Sequence, residues 1–378
     1  MTPAQRVRAW AIESALPLWA TKGVDPRGGF VECLSLDGAA LVSKPRRVRA
    51  QARQIYVYAH CYNVGWLPDA QLAVEQLEWL VDRAWRPDDK SGWVHVLDER
   101  GGVINDKRDL YDHAFILLAL ATVYKSTNNS KWLSLADQTI AVLDDEFVAA
   151  NGGFAECIGG ELPRRQNPHM HLFEAFLSLH ATTGDVKYLA RVDAIYELFD
   201  GQFFDREMGI LREYFNENWA PWKVGSEDVW EPGHHSEWVW LLTRYFEVSN
   251  RSRQGDGQKL LNRALANGIY PATGLLRGEL GADNSCPPSM SRTWMQTEYV
   301  KALLTRVEHD ADGAVEAAER AVDDMFRWHL EPAIPGGWVD HVDEQGIPSS
   351  KDIPASTLYH LICCMTEIER VLGKSHNS

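Results

Sequence analysis

A short signal recurs six times along this chain. One or two glycines, or a Ser-Gly, precede an aromatic or aliphatic residue and then a strand-like stretch. It reads GGFVECL at 28–34, SGWVHVL at 91–97, GGFAECI at 152–158, GILREYF at 209–215, GLLRGEL at 274–280 and GGWVDHV at 336–342. Counted between Gly29, Gly92, Gly153, Gly209, Gly274 and Gly337, the intervals are 63, 61, 56, 65 and 63 residues. A near-constant period marks an array of one supersecondary unit, whose copies bury their apolar faces against one another.

Each interval leaves room for two helices. Helical patterns are read at 3–21, 48–64, 69–84, 110–127, 131–148, 169–183, 186–199, 234–248, 258–269, 293–307, 310–330 and 355–372. Within 48–64, for example, Ile55, Tyr58, Ala59 and Tyr62 have the spacing of one helix face. Twelve helices of roughly fifteen residues would cover about half the chain, against the ~30–35% of an average protein. Breakers separate them: Asn128-Asn129, Pro168, Gly184, Pro232-Gly233, Pro271 and Pro332. Six helix pairs can close into a ring. The expectation is therefore an all-α (α/α)6 barrel of twelve helices, with short hairpins or strands between pairs. It forms one catalytic domain over 1–373, and 374–378 are a disordered tail.

A chain of 378 residues with 45% hydrophobic content can bury such a core. Its net charge of −15 repels phosphate backbones and anionic lipid, so no nucleic acid or membrane partner is expected. No apolar run approaches a membrane span, and the first residues read as an amphipathic helix, not a signal peptide. Cys33, Cys61, Cys157, Cys286, Cys363 and Cys364 form no CxxC pair. They fit reduced thiols in a cytoplasmic protein. The 15 tryptophans are read first as core and only second as sugar-stacking surfaces. A homo-oligomer is compatible with the sequence, although no apolar stripe argues for one.

Polar and aromatic residues recur at a similar depth in the second helix of each pair. Arg53, His113, His171, His234, Trp294 and His360 follow their glycines by 24, 21, 18, 25, 20 and 23 residues. If those helices form the inner ring, the six side chains converge on one cavity. Two of the sites read His-x-x-Glu: His171 to Glu174, and His234 to Glu237. Positions i and i+3 share a helix face, where a carboxylate orients an imidazole and raises its basicity. A solvent-facing pair is the ordinary reading of one such motif; two in matching repeats favour a site. No HExxH or Cys/His cluster nominates a metal, so none is expected. His169 and His171 diverge on a helix. No GxxxxGK[ST], GxGxxG or GxSxG is present, so no nucleotide cofactor or serine nucleophile is expected.

Six segments, one per repeat and in order, together resemble the N-acylglucosamine 2-epimerase superfamily, which includes mannose isomerases and cellobiose 2-epimerases. They are RAQARQIYVYAH (49–60), DLYDHAF (109–115), NPHMHLFEA (167–175), PGHHSEWVWLL (232–242), TWMQTEYVKAL (293–303) and STLYH (356–360). The resemblance implies an (α/α)6 barrel. It also implies that His234 and His360 are the acid/base pair and that His171 assists ring opening or holds the sugar. Arg53 would bind the oxygens around C1 and C2, and Glu237 would orient His234 or bind a hydroxyl. Tyr111 and Asn167 would contact the sugar, and Trp294 would stack on it. Ser356 is a candidate contact. His113 and His169 match the segments and are read as structural.

The chemistry suits these groups. Removing a sugar C–H beside an aldehyde needs an open chain, a base of near-neutral pKa and stabilisation of the enediolate. Imidazole transfers protons both ways at neutral pH, and a guanidinium supplies fixed positive charge. No cofactor is required. Return of the proton to C1 converts aldose to ketose; return to C2 from the opposite face gives the epimer. The segment STLYH favours a D-mannose–D-fructose isomerase, with a 2-epimerase as the alternative. A glycoside hydrolase on the same barrel would need two facing carboxylates, for which Asp109, Asp112, Glu174 and Glu237 are available. A non-catalytic sugar-binding protein and a structural helical scaffold are the remaining readings.

Overall fold

In the computed structural model the six repeats become six helix pairs around one axis. Residues 1–224, 228–249, 251, 254–285 and 289–373 are described. Among them the chain forms twelve helices. The first, α1, runs from Pro3–Trp10 through a π turn at Ala11–Ala15 into Leu16–Thr21. Then come α2 (Val48–Asn63), α3 (Gln71–Ala84), α4 (Leu110–Thr127), α5 (Ser130–Glu146) and α6 (Gln166–Thr183). They are followed by α7 (Val186–Leu198), α8 (Pro232–Val248), α9 (Gln254–Asn267), α10 (Thr293–Glu308), α11 (Ala314–Met325) and α12 (Thr357–Leu372). The tail at 374–378 and Cys286 lie outside the described residues. The five described cysteines are buried free thiols. No described helix is long and apolar enough to cross a membrane.

The even-numbered helices form the inner ring. Each packs on the next, and α12 returns to α2. The odd-numbered helices form the outer ring: α1 lies on α12, α3 on α2, α5 on α4, α7 on α6, α9 on α8 and α11 on α10. The division follows from the side chains. An inner helix meets neighbours on every side, and in α4 every residue from Asp112 to Val123 is buried. An outer helix buries one stripe, as α11 does with Ala314, Ala318, Ala321, Val322 and Met325.

Two-residue antiparallel pairings stitch the repeats together. Arg46–Arg47 pairs with Val96–Leu97, Arg164–Arg165 with Tyr214–Phe215, Val229–Trp230 with Leu280–Gly281, and Ser291–Arg292 with His341–Val342. A single bridge joins Asp109 to Cys157. Cys33–Leu34 of the first repeat pairs with Ile353–Pro354 of the last and closes the circle. Every pairing precedes an inner helix, so the stitching gathers at the barrel end where the inner helices begin.

The glycine signal has a defined role in this arrangement. The backbone N–H two or one residues beyond the glycine donates to the fourth residue of an inner helix. Phe30 donates to Gln51 (2.7 Å), Trp93 to His113 (3.1 Å), Phe154 to His169 (3.0 Å), Leu211 to His235 (2.9 Å) and Leu276 to Gln296 (3.1 Å). Gly92 has φ +86°, and a Cβ there would stand 2.8 Å from His113 Nε2. Both the left-handed backbone and the close approach require glycine.

Two expected breakers are instead helix starters. Pro232 is the first residue of α8 and Pro168 the third of α6. Proline is tolerated in the first turn because the N–H it lacks has no intrahelical acceptor there.

Candidate active site

The first two turns of the inner helices enclose a cavity of about 220 Å³ at the stitched end of the barrel. Arg53, Tyr111, Asn167, His171, His234, Glu237, Trp294 and His360 all line it, and so does Ser356. The expected eight residues therefore come together. Arg47, Arg49, Glu231, Arg292 and Thr357 complete the wall.

Three buried imidazoles face this space, each held at Nδ1 by a carboxylate. His234 is paired with Glu213 at 3.0 Å and His360 with Glu298 at 2.9 Å. His171 is paired with Glu174 at 3.2 Å. Such a partner fixes ring orientation and tautomer, and directs Nε2 to the reacting side. Trp294 packs against both His234 and His360, with ring centroids at 5.1 and 5.6 Å. Asn167 Nδ2 lies 3.0 Å from His234 Nε2.

A second chain of contacts crosses the floor. Arg53 donates through Nη2 to the Tyr111 hydroxyl at 2.8 Å, and its guanidinium lies 4.0 Å from the Phe115 ring centre. The Tyr111 hydroxyl stands 3.3 Å from His171 Nε2. On the far side of His171, Glu174 accepts from the Tyr359 hydroxyl. Arg53 is buried, and its Nε has no hydrogen-bond partner.

The histidines differ electrostatically. Burial opposes a charge on His234, but Glu213, Glu231 and Glu237 outweigh it and lift its pKa to about 10. Burial pushes His171 down to about 4 despite Glu174. Burial also holds His360 well below the usual histidine range, reinforced by Arg53, His171 and Lys301. At neutral pH the cavity thus contains an imidazolium at His234 and neutral rings at His360 and His171. Burial and the Glu298 charge push the Glu237 carboxyl well up.

A barrel with carboxylate-held histidines facing one another across a small polar cavity invites comparison with known proteins. The sequence profile of the N-acylglucosamine 2-epimerase (GlcNAc 2-epimerase) family matches residues 28–364. The chain belongs to this family. It is an enzyme of the sugar isomerase and epimerase kind. A mannose-6-phosphate isomerase of Rhizobium meliloti (strain 1021) is 33% identical over 98% of each chain. A D-mannose isomerase of Thermobifida fusca is 29% identical over 89% of this chain and 87% of its own. Among solved structures, the cellobiose 2-epimerase of Bacillus thermoamylovorans B4167 superposes with a TM-score of 0.87 at 22% identity, covering 97% of this chain and 99% of that one. At that identity the likeness speaks for the fold.

Within this family member, three expectations are corrected. His113 does not join the cavity: its Nε2 accepts from Trp93 and its Nδ1 contacts the Asp109 carbonyl. It serves the glycine turn, as His169 does. Glu237 does not hold His234; Glu213 does, and Glu237 stands 3.8 Å from His171 Nδ1. The shared depth of the six polar residues also separates into levels. Arg53, His171, Glu237 and Glu298 are each the sixth residue of their helices, whereas His360 is the fourth, His234 the third and Trp294 the second.

Glu213 and Glu298 were missed, yet both left a signal. Glu213 sits in GILREYF where Glu32 sits in GGFVECL, Glu156 in GGFAECI and Asp340 in GGWVDHV. Glu298 lies inside TWMQTEYVKAL, level with Arg53 and His171. Among the described residues, four groups bring possible metal ligands within 4.8 Å: His95, Asp109, Asp112; His171, Glu174, Glu237; Glu213, Glu231, His234; and Glu237, Glu298, His360. In each, a carboxylate is already engaged on an imidazole.

Proposed function

We propose that the enzyme interconverts a free aldose and its ketose, with D-mannose and D-fructose as the preferred pair, through an enediolate. The observation that carries this reading is the pair His234 and His360. Both touch Trp294, both are oriented at Nδ1 by buried carboxylates, and they rest in opposite protonation states. One ring is ready to take a proton while the other is ready to give one. His360 Nε2 accepts the proton from C2. Arg53 and the His234 imidazolium stabilise the negative oxygens. Delivery to C1 of a proton from His360, exchanged there with solvent, yields the ketose. Delivery from His234 to the opposite face of C2 would yield the epimer instead. His171, beside Tyr111 and Arg53, holds the open chain.

The carboxylates support this reading over glycoside hydrolysis. Glu174 is engaged by His171 and Tyr359, and Asp112 by His95 and Arg49. Asp109 caps α4 by accepting from the Tyr111 N–H. The cations at the mouth support an uncharged sugar over a sugar phosphate. Arg47 faces Glu32, Arg49 faces Asp112, Arg165 faces Glu156 and Arg292 faces Asp340. A phosphate would find these cations already facing carboxylates, which leaves Arg53, bonded to the Tyr111 hydroxyl, as the guanidinium presented to the sugar itself.

The test is turnover of D-mannose, with D-mannose 6-phosphate alongside, by the wild type and by His234→Ala and His360→Ala. Each substitution should cut turnover by about 10²–10⁴-fold in a folded protein. Near-normal turnover in either variant removes the two-histidine mechanism, and conversion of the phosphate alone transfers the reading to the phosphorylated sugar.

A further inference from the structure

Beneath the cavity lies a buried ammonium group that the scheme above does not use. Lys301 stands one turn after Glu298 on α10, and its side chain is 1% exposed. Its Nζ lies 2.7 Å from Glu298 Oε2, while Glu298 Oε1 holds His360 Nδ1 at 2.9 Å. The Lys301 Nζ also rests 4.1 Å from the centre of the Trp240 ring. The three groups form a line from core to cavity: ammonium, carboxylate, imidazole. Burying an ammonium is costly unless charge nearby compensates it. The dry end of the line therefore needs an explanation beyond packing.

We propose that Lys301 is a positioning residue for His360: it keeps Glu298 ionised, so that Glu298 accepts the Nδ1 proton and leaves an unprotonated Nε2 at the cavity. The inference rests on the isomerase reading above. Its logic is one of tautomers. A carboxylate accepts from Nδ1–H and presents Nε2 as a base. A protonated carboxyl group donates to Nδ1 and forces the proton onto Nε2, where it blocks base action. Burial holds the Glu298 carboxyl above its ordinary range, and Lys301 is the largest pull in the other direction, toward the ionised form.

Other charged groups around the line do not replace the ammonium. Glu174 on α6 adds negative charge beside Lys301, and Glu237 on α8, whose carboxyl burial holds toward the neutral form, does so only when ionised. His234 on α8 and His171 on α6 act on Glu298 more weakly than Lys301 does. From α12, Cys363 and Cys364 are buried thiols held in their neutral form. Arg53 on α2 acts on His360 itself.

The experiment compares Lys301→Met and Lys301→Arg with the wild type over a range of pH, using the sugar that the wild type converts. Lys301→Met should lose about 10²-fold in kcat at pH 7, with little change in KM. It should regain activity as the pH rises and Glu298 ionises without help, moving the acid limb upward by one unit or more. Lys301→Arg keeps the charge and should restore the wild-type limb. A wild-type profile in Lys301→Met overturns the proposal, as does an equal loss at every pH. The tautomer of His360 is read separately by ¹⁵N NMR of the wild type, without substrate. Proton on Nδ1 is expected, and proton on Nε2 overturns the proposal even where Lys301→Met fails to fold. If the wild type converts no sugar, the isomerase reading fails, while the role of Lys301 is still decided by the same NMR measurement on Lys301→Met, where a proton shifted to Nε2 is expected and an unchanged tautomer overturns the proposal.

Discussion

At the scale of the residue, the two facing imidazoles are chemically different because their surroundings are. Glu213, Glu231 and Glu237 outweigh burial at His234, whereas at His360 burial, Arg53, His171 and Lys301 outweigh the carboxylates nearby. The His234 proton is therefore lost only near pH 10. Loss of that proton should set the basic limb of kcat/KM. Glu213→Gln removes the nearest negative charge, so that limb should move to lower pH by about 1–3 units. A pH–rate profile checks this, and an unmoved limb would assign it to another group. The same shift enters stability. The folded pKa lies above the unfolded value of about 6.5. The contribution of the charged pair is thus full below that pH and is lost as pH rises through about 10.

At the scale of the element, the repeat was legible because its unit is local. The glycine turn, the short strand and the inner helix lie within about thirty residues, and the period exposed them. The fourth residue of each inner helix was harder to interpret. His113 and His169 match the family segments and are read from the sequence as structural; the structure shows how, since they accept the N–H of the glycine turn, as Gln51 and Gln296 do in other repeats. Only the register of paired glutamines reveals this. The role predicts asymmetric tolerance. His113→Gln keeps an acceptor for the Trp93 N–H and should cost little stability. His113→Leu leaves that N–H buried and unpaired, at about 1–3 kcal/mol. Denaturant unfolding of the two variants separates the cases; equal losses would contradict the role. Glu213 was harder still, because it reaches His234 from the residue just before the Tyr214–Phe215 strand, 21 residues away in sequence.

At the scale of the whole molecule, the ring gathers the first turns of six inner helices at one end. That is why residues spread from Arg53 to His360 can meet in one cavity. The family segments carried the list of cavity residues, and the period carried the barrel. The His171–Glu174 pair was legible as His-x-x-Glu, whereas Glu213 precedes His234 by 21 residues and Glu298 reaches His360 from the neighbouring inner helix, so those two assignments needed three dimensions. The central claim is that this cavity moves a proton through an enediolate. Conversion of D-mannose by the purified protein in D₂O, followed by NMR, tests it most directly. The account predicts D-fructose with solvent deuterium at C1, because a proton held on His360 exchanges with solvent before it returns. Fructose that retains the original hydrogen throughout, with no deuterium at C1, would contradict it.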